Sequence, residues 1–333
     1  MKVWTSLDDF ARCDTGCVLT IGNFDGVHLG HQAIIRQAKK IAQEQNLPLA
    51  AMTFEPSPVR VLAPNKAPQV ITPLELKIQL MQEFQVDELV VVNPSPAFLA
   101  LSAEEFVQKV ITGVFNARYV VEGQTFSFGQ RRTGTMVSLQ ALAERFGFRA
   151  FLVPAQTVVL DSAVGAVAVS STLVRQQISL SQFDKAATCL GRPYVLVGAI
   201  VAGKGKGREL GFPTANLQLA CQQQAMPEDG SFAGYVKIAE DWEGLWQEKQ
   251  FHPAALSIGR PVTFADPVWR IEAFLLDYSP EMGSLYEKHM MLIPVERIRP
   301  QIKFNTPREL IGAIESDCRK VREILARKRP EDL

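Results

Sequence analysis

Two histidines separated by two residues, His28 and His31, stand in a glycine-rich stretch of the chain, residues 20–31. Side chains at this spacing on a helix lie on the same side, so both imidazoles can face one ligand. The stretch contains three glycines, which let a backbone pass close to a ligand and adopt unusual dihedral angles: Gly22, Gly26 and Gly30. Two imidazoles beside a phosphate could stabilise the charge that develops on a transferring phosphoryl or nucleotidyl group.

Two other interpretations of the histidine pair remain open. The pair could bind a metal, but a third ligand at helical spacing is missing, and zinc normally takes three or four protein ligands. The pair could also be two surface histidines in a purely structural turn. The whole chain has four histidines, and two of them fall in this turn. That concentration favours a functional site.

The glycine-rich stretch is predicted to join a strand to a helix. A short apolar run, Cys17–Ile21, precedes it and is typical of a buried strand. Apolar residues recur at helical spacing after it, at Ile34, Ala38 and Ile41. The free N–H groups and the positive end of the helix dipole would then point into the turn, which favours a phosphate ligand.

Composition restricts the class of protein. The chain has 333 residues, enough for two domains, with 47% hydrophobic and 21% charged residues, as in ordinary globular proteins. The 35 basic residues balance 35 acidic ones, so neither nucleic acid nor an anionic membrane is expected as the main partner. The five cysteines are scattered, which disfavours zinc and suits a reducing cytoplasm. We expect no signal peptide and no membrane span, and leave self-association open.

The order of strand and helix patterns predicts the fold class and two domains. The first half alternates strands, such as 49–54 and 88–92, with helices, which indicates an α/β, doubly wound, Rossmann-like parallel sheet. Ligands of such sheets bind beyond the carboxyl ends of the strands, where the histidine turn lies. After residue 191 strands follow one another without an intervening helix until a final helix after Thr306, which indicates an antiparallel β-barrel. We place the domains at 1–183 and 184–333.

The segment GNFDGVHLGH, residues 22–31, resembles the HxGH nucleotidyltransferase signature in the form found in bacterial bifunctional riboflavin kinase/FAD synthetases. The resemblance implies an FMN adenylyltransferase domain in which His28 and His31 are catalytic. It also implies that the turn binds nucleotide through Gly22, Asn23, Phe24, Asp25, Gly26 and Gly30.

A second element of the first domain, residues 169–175, contains hydroxyls and an arginine that could hold phosphate oxygens. It resembles the ISSTxxR element that closes over the triphosphate in this nucleotidyltransferase class. The resemblance implies nucleotide binding by Ser170, Ser171, Thr172 and Arg175. As an isolated segment, Ser-Ser-Thr before a helix is also typical of an ordinary N-cap.

The second domain begins with a glycine-rich and basic segment, residues 203–211, that does not match the Walker pattern. Alone it could be a mobile surface turn, but the continuous pattern GxxxGRxLGFPTAN resembles the riboflavin kinase signature. Thr214 and Asn216 are one residue apart, so in an extended segment both face the same side, and their oxygens suit Mg²⁺. The resemblance implies that these two hold Mg²⁺ and ATP phosphates. It adds phosphate contacts at Gly203, Lys206, Gly207 and Gly211.

Glu272 interrupts an otherwise apolar strand pattern, residues 269–277. Strand alternation would allow an ordinary glutamate on the barrel surface. The resemblance instead implies that Glu272 is the general base that takes the proton from the terminal ribityl hydroxyl of riboflavin.

The resemblance therefore implies two ATP-dependent reactions: riboflavin is phosphorylated to FMN, and AMP is then added to FMN to give FAD and pyrophosphate. The chain departs from the family pattern at Ser57, at Thr125 and in the segment Ser284-Leu-Tyr-Glu287. Two alternatives stay open. One is a monofunctional riboflavin kinase with a degenerate first domain, and the other is a non-enzymatic flavin- or nucleotide-binding regulator.

Overall fold

The computed structural model describes residues 1–10, 13–203, 207, 210–259, 270–279 and 283–332. The chain packs as two compact units. The first comprises Met1–Pro68 and Leu76–Ser171, and the second comprises Gln69–Glu75 and Thr172–Leu333. By contacts, residues 172–183 pack with the second unit, and the predicted boundary between 183 and 184 stays a prediction.

The first unit is built on a parallel sheet, as the alternating pattern predicted. Its strands lie in the order β1-β4-β3-β2-β5-β8, and all the neighbouring pairs are parallel. Two short antiparallel pairs, β6–β7 and β9–β10, accompany the sheet. The strands are β1 (Lys2–Trp4), β2 (Cys17–Ile21), β3 (Leu49–Phe54), β4 (Glu88–Val92), β5 (Ala117–Gly123), β6 (Ser127–Phe128), β7 (Gly134–Thr135), β8 (Arg149–Val153), β9 (Thr157–Asp161) and β10 (Gly165–Ala168).

The order of the strands reverses direction at β2. Successive strands β3 and β4 lie on one side of β2, and β5 and β8 lie on the other. All five residues of β2 are buried, as expected for a central strand with both faces covered. Such a topological switch point opens a crevice at the carboxyl ends of the strands, and the turn after Ile21 lies at this end.

Helices connect the strands and begin and end where local signals predict. Ser102 and Glu105 form a capping box, and Gly147 ends its helix with φ +77° in the left-handed region. The helices that precede the barrel are α1 (Leu29–Gln45), α2 (Pro58–Leu62), α3 (Leu74–Glu83), α4 (Pro96–Leu99), α5 (Ala103–Phe106), which continues as a π-helix (Val107–Val114), α6 (Met136–Phe146), α7 (Ser171–Ser179) and α8 (Phe183–Leu190).

The second unit contains a closed antiparallel barrel of six strands among the described residues, in the order β11-β12-β15-β14-β13-β16. The α/β sheet followed by a barrel confirms the predicted fold class. The barrel strands are β11 (Leu196–Val201), β12 (Ala215–Leu219), β13 (Gly230–Ala239), β14 (His252–Gly259), β15 (Arg270–Leu275) and β16 (His289–Pro300).

A short helix, α9 (Trp242–Gln247), lies between β13 and β14. The prediction that no helix interrupts the barrel strands was therefore wrong. The Asp241 carboxylate caps this helix by accepting from the Gly244 N–H at 2.7 Å. Six residues are too few to produce a recognisable helical repeat of apolar positions.

The chain ends in the predicted amphipathic helix, α10 (Pro307–Leu325), which packs on the barrel strands β13, β14 and β16. Thr306 caps it by accepting from the Glu309 N–H at 3.2 Å. Val321 is fully buried, and Asp317 pairs with Arg299 of β16 at 2.7 Å. None of the helices in the described part of the chain combines the length and apolar character needed to cross a membrane.

Candidate active sites

The glycine-rich turn joins β2 to α1, as the sequence predicted. His28 occupies the N-cap position, and α1 begins at Leu29. Two buried residues of the turn, Phe24 and Val27, have positive φ angles of 46° and 41°. Non-glycine residues keep this strained conformation only where the surrounding packing fixes it. The turn is therefore a rigid, specified structure at the switch point of the sheet.

The rings of His28 and His31 stack on each other, with centroids 3.7 Å apart and planes inclined by 19°. The edge of Phe24 contacts His31 at 5.4 Å. A Cβ on Gly30 would lie 3.1 Å from the His28 ring, so glycine at this position gives the imidazole its place. Burial, then the nearby charges of His28 and Lys77, hold the pKa of His31 well below its usual value. His31 is therefore a neutral hydrogen-bonding group at neutral pH.

The second predicted element of the first domain meets the turn directly. The Ser171 hydroxyl donates to the backbone carbonyl of Asp25 at 2.8 Å, although the two residues are 146 positions apart. Ser170 and Thr172 are exposed. Ser170 and Ser171 belong to the first unit, and Thr172 and Arg175 to the second. Within the second unit, the Arg175 guanidinium donates to the Gln69 carbonyl at 3.4 Å.

A buried lysine that the sequence analysis missed lies behind the turn. Lys77 of α3 is 4% exposed, and its ammonium donates to the Thr53 hydroxyl at 3.3 Å. Thr53, at the end of β3, donates in turn to the carbonyl of Asn23 at 3.2 Å. The signal available in the sequence was a lysine on the apolar side of a predicted helix, beside Leu76 and Leu80.

A buried glutamate also supports the turn from the other side of β2. Glu122 of β5 is 3% exposed and accepts hydrogen bonds from the Ile21 N–H at 2.5 Å and the Thr20 hydroxyl at 3.4 Å. Burial raises the pKa of Glu122 well above its usual value, although these hydrogen bonds oppose the shift. A charged residue within the apolar run of β5 was the sequence signal, of the same kind that identified Glu272.

Two of the departures from the family pattern lie after strands of the sheet. Ser57 is the N-cap of α2, with no side-chain capping bond, and Thr125 is exposed between β5 and β6. The third departure, the segment 284–287, precedes β16 in the second unit.

In the barrel, Asn216 of β12 lies directly opposite Glu272 of β15 in the antiparallel register. Directly paired residues project from the same face of a sheet. Thr214 and Asn216 are partly exposed, whereas Ala215 between them is buried. This alternation agrees with the prediction that Thr214 and Asn216 face the same side, and it brings Glu272 to that side.

The glycines of the signature lie against the same residues. A Cβ on Gly203 would lie 2.3 Å from the Asn216 side-chain amide, and one on Gly207 would lie 2.4 Å from the Phe212 carbonyl and 3.3 Å from the Thr214 hydroxyl. Gly211 has φ +86°, which favours glycine. Lys206 falls outside the described residues, and its phosphate contact stays a prediction.

Glu272 has the environment of a reactive carboxylate rather than that of a fully solvated one. Burial raises its pKa, and the Arg270 guanidinium, 3.9 Å away, acts in the opposite direction. Phe274, two residues further along the same face, contacts Phe212 of the signature at 5.3 Å. Glu272 therefore shares its face of the barrel with the glycine-rich signature.

The hydroxyl, amide and carboxylate oxygens of Thr214, Asn216 and Glu272 form a hard donor set of the kind that Mg²⁺ prefers. Among the described residues, no group of three or more histidine, cysteine, aspartate or glutamate side chains could hold a metal ion. The oxygens at this site therefore suit a cation that substrate phosphates help to bind, rather than a fully protein-coordinated metal.

Comparison with known proteins agrees with this division. The family described as FAD synthetase matches residues 10–172, and the family described as riboflavin kinase matches residues 190–325. The bifunctional riboflavin kinase/FMN adenylyltransferase of Escherichia coli strain K12 is 33% identical over 315 residues, 95% of each chain. The protein of the same name from Listeria monocytogenes is 34% identical over 316 residues, 94% of each chain.

A solved structure described as a macrolide-efflux protein from Streptococcus pneumoniae has 30% sequence identity and a TM-score of 0.79. The match covers 96% of this chain and 98% of that chain, so the likeness extends over both units. With curated relatives above 30% identity over nearly their full length, the chain belongs to the family of bifunctional riboflavin kinase/FMN adenylyltransferases.

Proposed function

We propose that the two activities of the family are divided between the two units. The barrel phosphorylates riboflavin with ATP to give FMN, and the α/β unit adenylylates FMN with ATP to give FAD and pyrophosphate. The observation that carries this assignment is the separation of the two candidate sites: the stacked histidines belong to one unit, and the Asn216–Glu272 pair belongs to the other.

In the kinase reaction, Glu272 takes the proton of the terminal ribityl hydroxyl as its oxygen attacks the γ-phosphorus. A new oxygen–phosphorus bond forms, and the bond to the bridging oxygen breaks, which releases ADP. The raised pKa of Glu272 makes it a stronger base than an exposed glutamate. Backbone groups at Gly203, Gly207 and Gly211, with the Lys206 ammonium, hold the phosphates.

Thr214 and Asn216 would hold Mg²⁺, with Glu272 opposite. A bound Mg²⁺ would neutralise charge on the phosphate oxygens during transfer. The residues supply two oxygen ligands from one face of an extended segment, which leaves coordination positions for phosphates and water.

In the adenylylation reaction, a phosphate oxygen of FMN attacks the α-phosphorus of ATP, and the bond to pyrophosphate breaks. No proton transfer is needed to activate an ionised phosphate, so the protein contributes position and charge stabilisation. His28 and His31 donate hydrogen bonds to the phosphate oxygens as neutral imidazoles. The turn binds the nucleotide through Gly22, Asn23, Phe24, Asp25, Gly26 and Gly30, and the second element through Ser170, Ser171, Thr172 and Arg175.

We further propose the domain limits 1–183 and 184–333, a cytoplasmic location, and small-molecule substrates as the main partners, rather than nucleic acid or a membrane. The five cysteines, all free, and the balanced charge support the location and the partners.

One assay tests the assignment against its alternatives. The purified chain is incubated with riboflavin, ATP and Mg²⁺, and riboflavin, FMN and FAD are separated by chromatography. The proposal expects FMN to appear first and FAD to follow. FMN without FAD would identify a monofunctional kinase, and neither product would favour the regulator. Omission of Mg²⁺ is expected to stop FMN formation.

A further inference from the structure

A relay of two hydrogen bonds connects the buried Lys77 to the catalytic turn. The Lys77 ammonium lies 3.3 Å from the Thr53 hydroxyl, and that hydroxyl lies 3.2 Å from the Asn23 carbonyl. Thr53 is fully buried and Lys77 nearly so. A hydroxyl has one proton to donate, so accepting from Lys77 leaves Thr53 to direct its proton at Asn23. The lysine thereby fixes which way the threonine hydroxyl points.

Packing alone gives no reason for a lysine at this position. Its neighbours on the buried side of α3 are apolar: Leu76, Leu80 and Met81. An ammonium loses hydration when it is buried, at considerable cost, whereas a methionine of similar length would fill the space without that cost. The charge and the donor of Lys77 therefore serve something other than the stability of the unit.

The carbonyl of Asn23 controls the orientation of the peptide that follows it. Because a trans peptide is planar, a carbonyl held towards Thr53 turns the N–H of Phe24 in the opposite direction. Phe24 itself keeps a left-handed conformation, with φ 46°, and its ring edge contacts His31 at 5.4 Å. A displacement of Asn23 would therefore reach the histidine pair through a single residue.

We propose that Lys77 is a positioning residue for FMN adenylylation, which acts through the Thr53 hydroxyl on the Asn23 peptide and so fixes the turn that carries His28 and His31. This role rests on the proposed assignment of adenylylation to the first unit. Lys77 acts on the shape of the turn and belongs to the site although it lies behind it.

The test measures kcat and KM for FMN adenylylation in Thr53→Val, Thr53→Ser, Lys77→Met and the double variant Thr53→Val/Lys77→Met. Thr53→Val and Lys77→Met are each expected to lower kcat by about tenfold to a hundredfold, the range expected when reacting groups are misplaced. Thr53→Ser keeps the hydroxyl and is expected to stay within about threefold of the parent. Because both residues act through one relay, the double variant is expected to be no worse than the worse single variant.

Thermal unfolding separates positioning from a structural role. Lys77→Met removes a buried charge, so the first unit is expected to unfold at the parental temperature or above it while adenylylation falls. Riboflavin phosphorylation by the same preparations is expected to be unchanged. A parent chain that forms no FAD would refute the assignment of adenylylation itself. Parental kcat in Thr53→Val and Lys77→Met, fully additive losses, or a loss that follows a lower unfolding temperature would overturn the relay.

Discussion

Replacement of Glu272 by glutamine tests the general base directly. Glutamine keeps the size of the side chain and loses the proton acceptor, and loss of a general base typically lowers the rate about a hundredfold to ten-thousandfold. At about 1.36 kcal/mol per tenfold, this corresponds to about 2.7 to 5.4 kcal/mol of transition-state stabilisation. Riboflavin phosphorylation should fall by this factor in Glu272→Gln, whereas conversion of added FMN to FAD should not change.

The stability of Glu272→Gln is expected to move in the opposite direction to its activity. Burial raises the pKa of Glu272 in the folded chain. A carboxyl with a raised pKa contributes most to stability when protonated at low pH, and that contribution is lost as the pH rises through its folded-state pKa. Near pH 7.5 the neutral glutamine avoids this cost. Only the Arg270 contact, at 3.9 Å, is lost in exchange. The unfolding temperature should therefore be unchanged or higher.

A matched control comes from the same barrel. Glu296 of β16 forms a pair with Lys328 at 3.1 Å, and its side chain is 47% exposed. Such surface pairs contribute little to stability, so Glu296→Gln makes the same chemical change away from the proposed site and should phosphorylate riboflavin at the parental rate. If Glu272→Gln also made FMN at the parental rate, Glu272 would be an ordinary barrel glutamate. A further check is the pH profile of the parent kinase, which should lose activity on acidification at a higher pH than an ordinary glutamate would cause.

The remaining predictions concern the α/β unit and its separation from the barrel. The double variant His28→Ala/His31→Ala should lose at least about a hundredfold in FAD formation, with FMN formation intact by chromatography; FAD at the parental rate would refute the HxGH assignment. Ser171→Ala removes the hydrogen bond to Asp25 and should reduce adenylylation by about threefold to tenfold in initial-rate assays. Since the pKa of His31 is well below its usual value, the rate of FAD formation should not fall between pH 7.5 and about pH 6.5, where an ordinary histidine titrates; a titration of the rate there would show a charged His31. A fragment of residues 184–333 should phosphorylate riboflavin without forming FAD, and it should unfold at a lower temperature than the barrel does in the full chain.

Local patterns were sufficient to predict both the architecture and the principal site residues. The buried run Cys17–Ile21 and the helical repeat after it locate the histidine turn, because strand, turn and helix are all determined by neighbouring residues. The one-residue separation of Thr214 and Asn216 predicts a shared face for the same reason. The family and its two activities, expected from the signatures, are confirmed by relatives that match nearly the whole chain.

Residues that complete the site from distant parts of the chain could not be predicted in this way. Thr53 and Lys77 lie 24 positions apart, and Glu122 meets Ile21 across 101 positions. Each is an ionisable or polar side chain in an apolar context, which marks it as unusual. What it contacts depends on strand order and on helix packing. Single-sequence patterns therefore identify such residues without giving their partners.

The order of the chain and the order of its packing also differ in one segment. Residues 69–75 come from the first half of the sequence but belong to the second unit, where the Val70 N–H donates to the Gln223 carbonyl at 2.8 Å and the Ala225 N–H donates to the Val70 carbonyl at 2.7 Å. The chain then continues into α3, which carries Lys77 of the first unit. A single cut near residue 183 therefore removes two backbone hydrogen bonds from the second unit, each worth about 0.5 to 1.5 kcal/mol. The two reactions use separate residues, yet the segment that completes the packing of the kinase unit leads directly into the helix that supports the adenylylation turn.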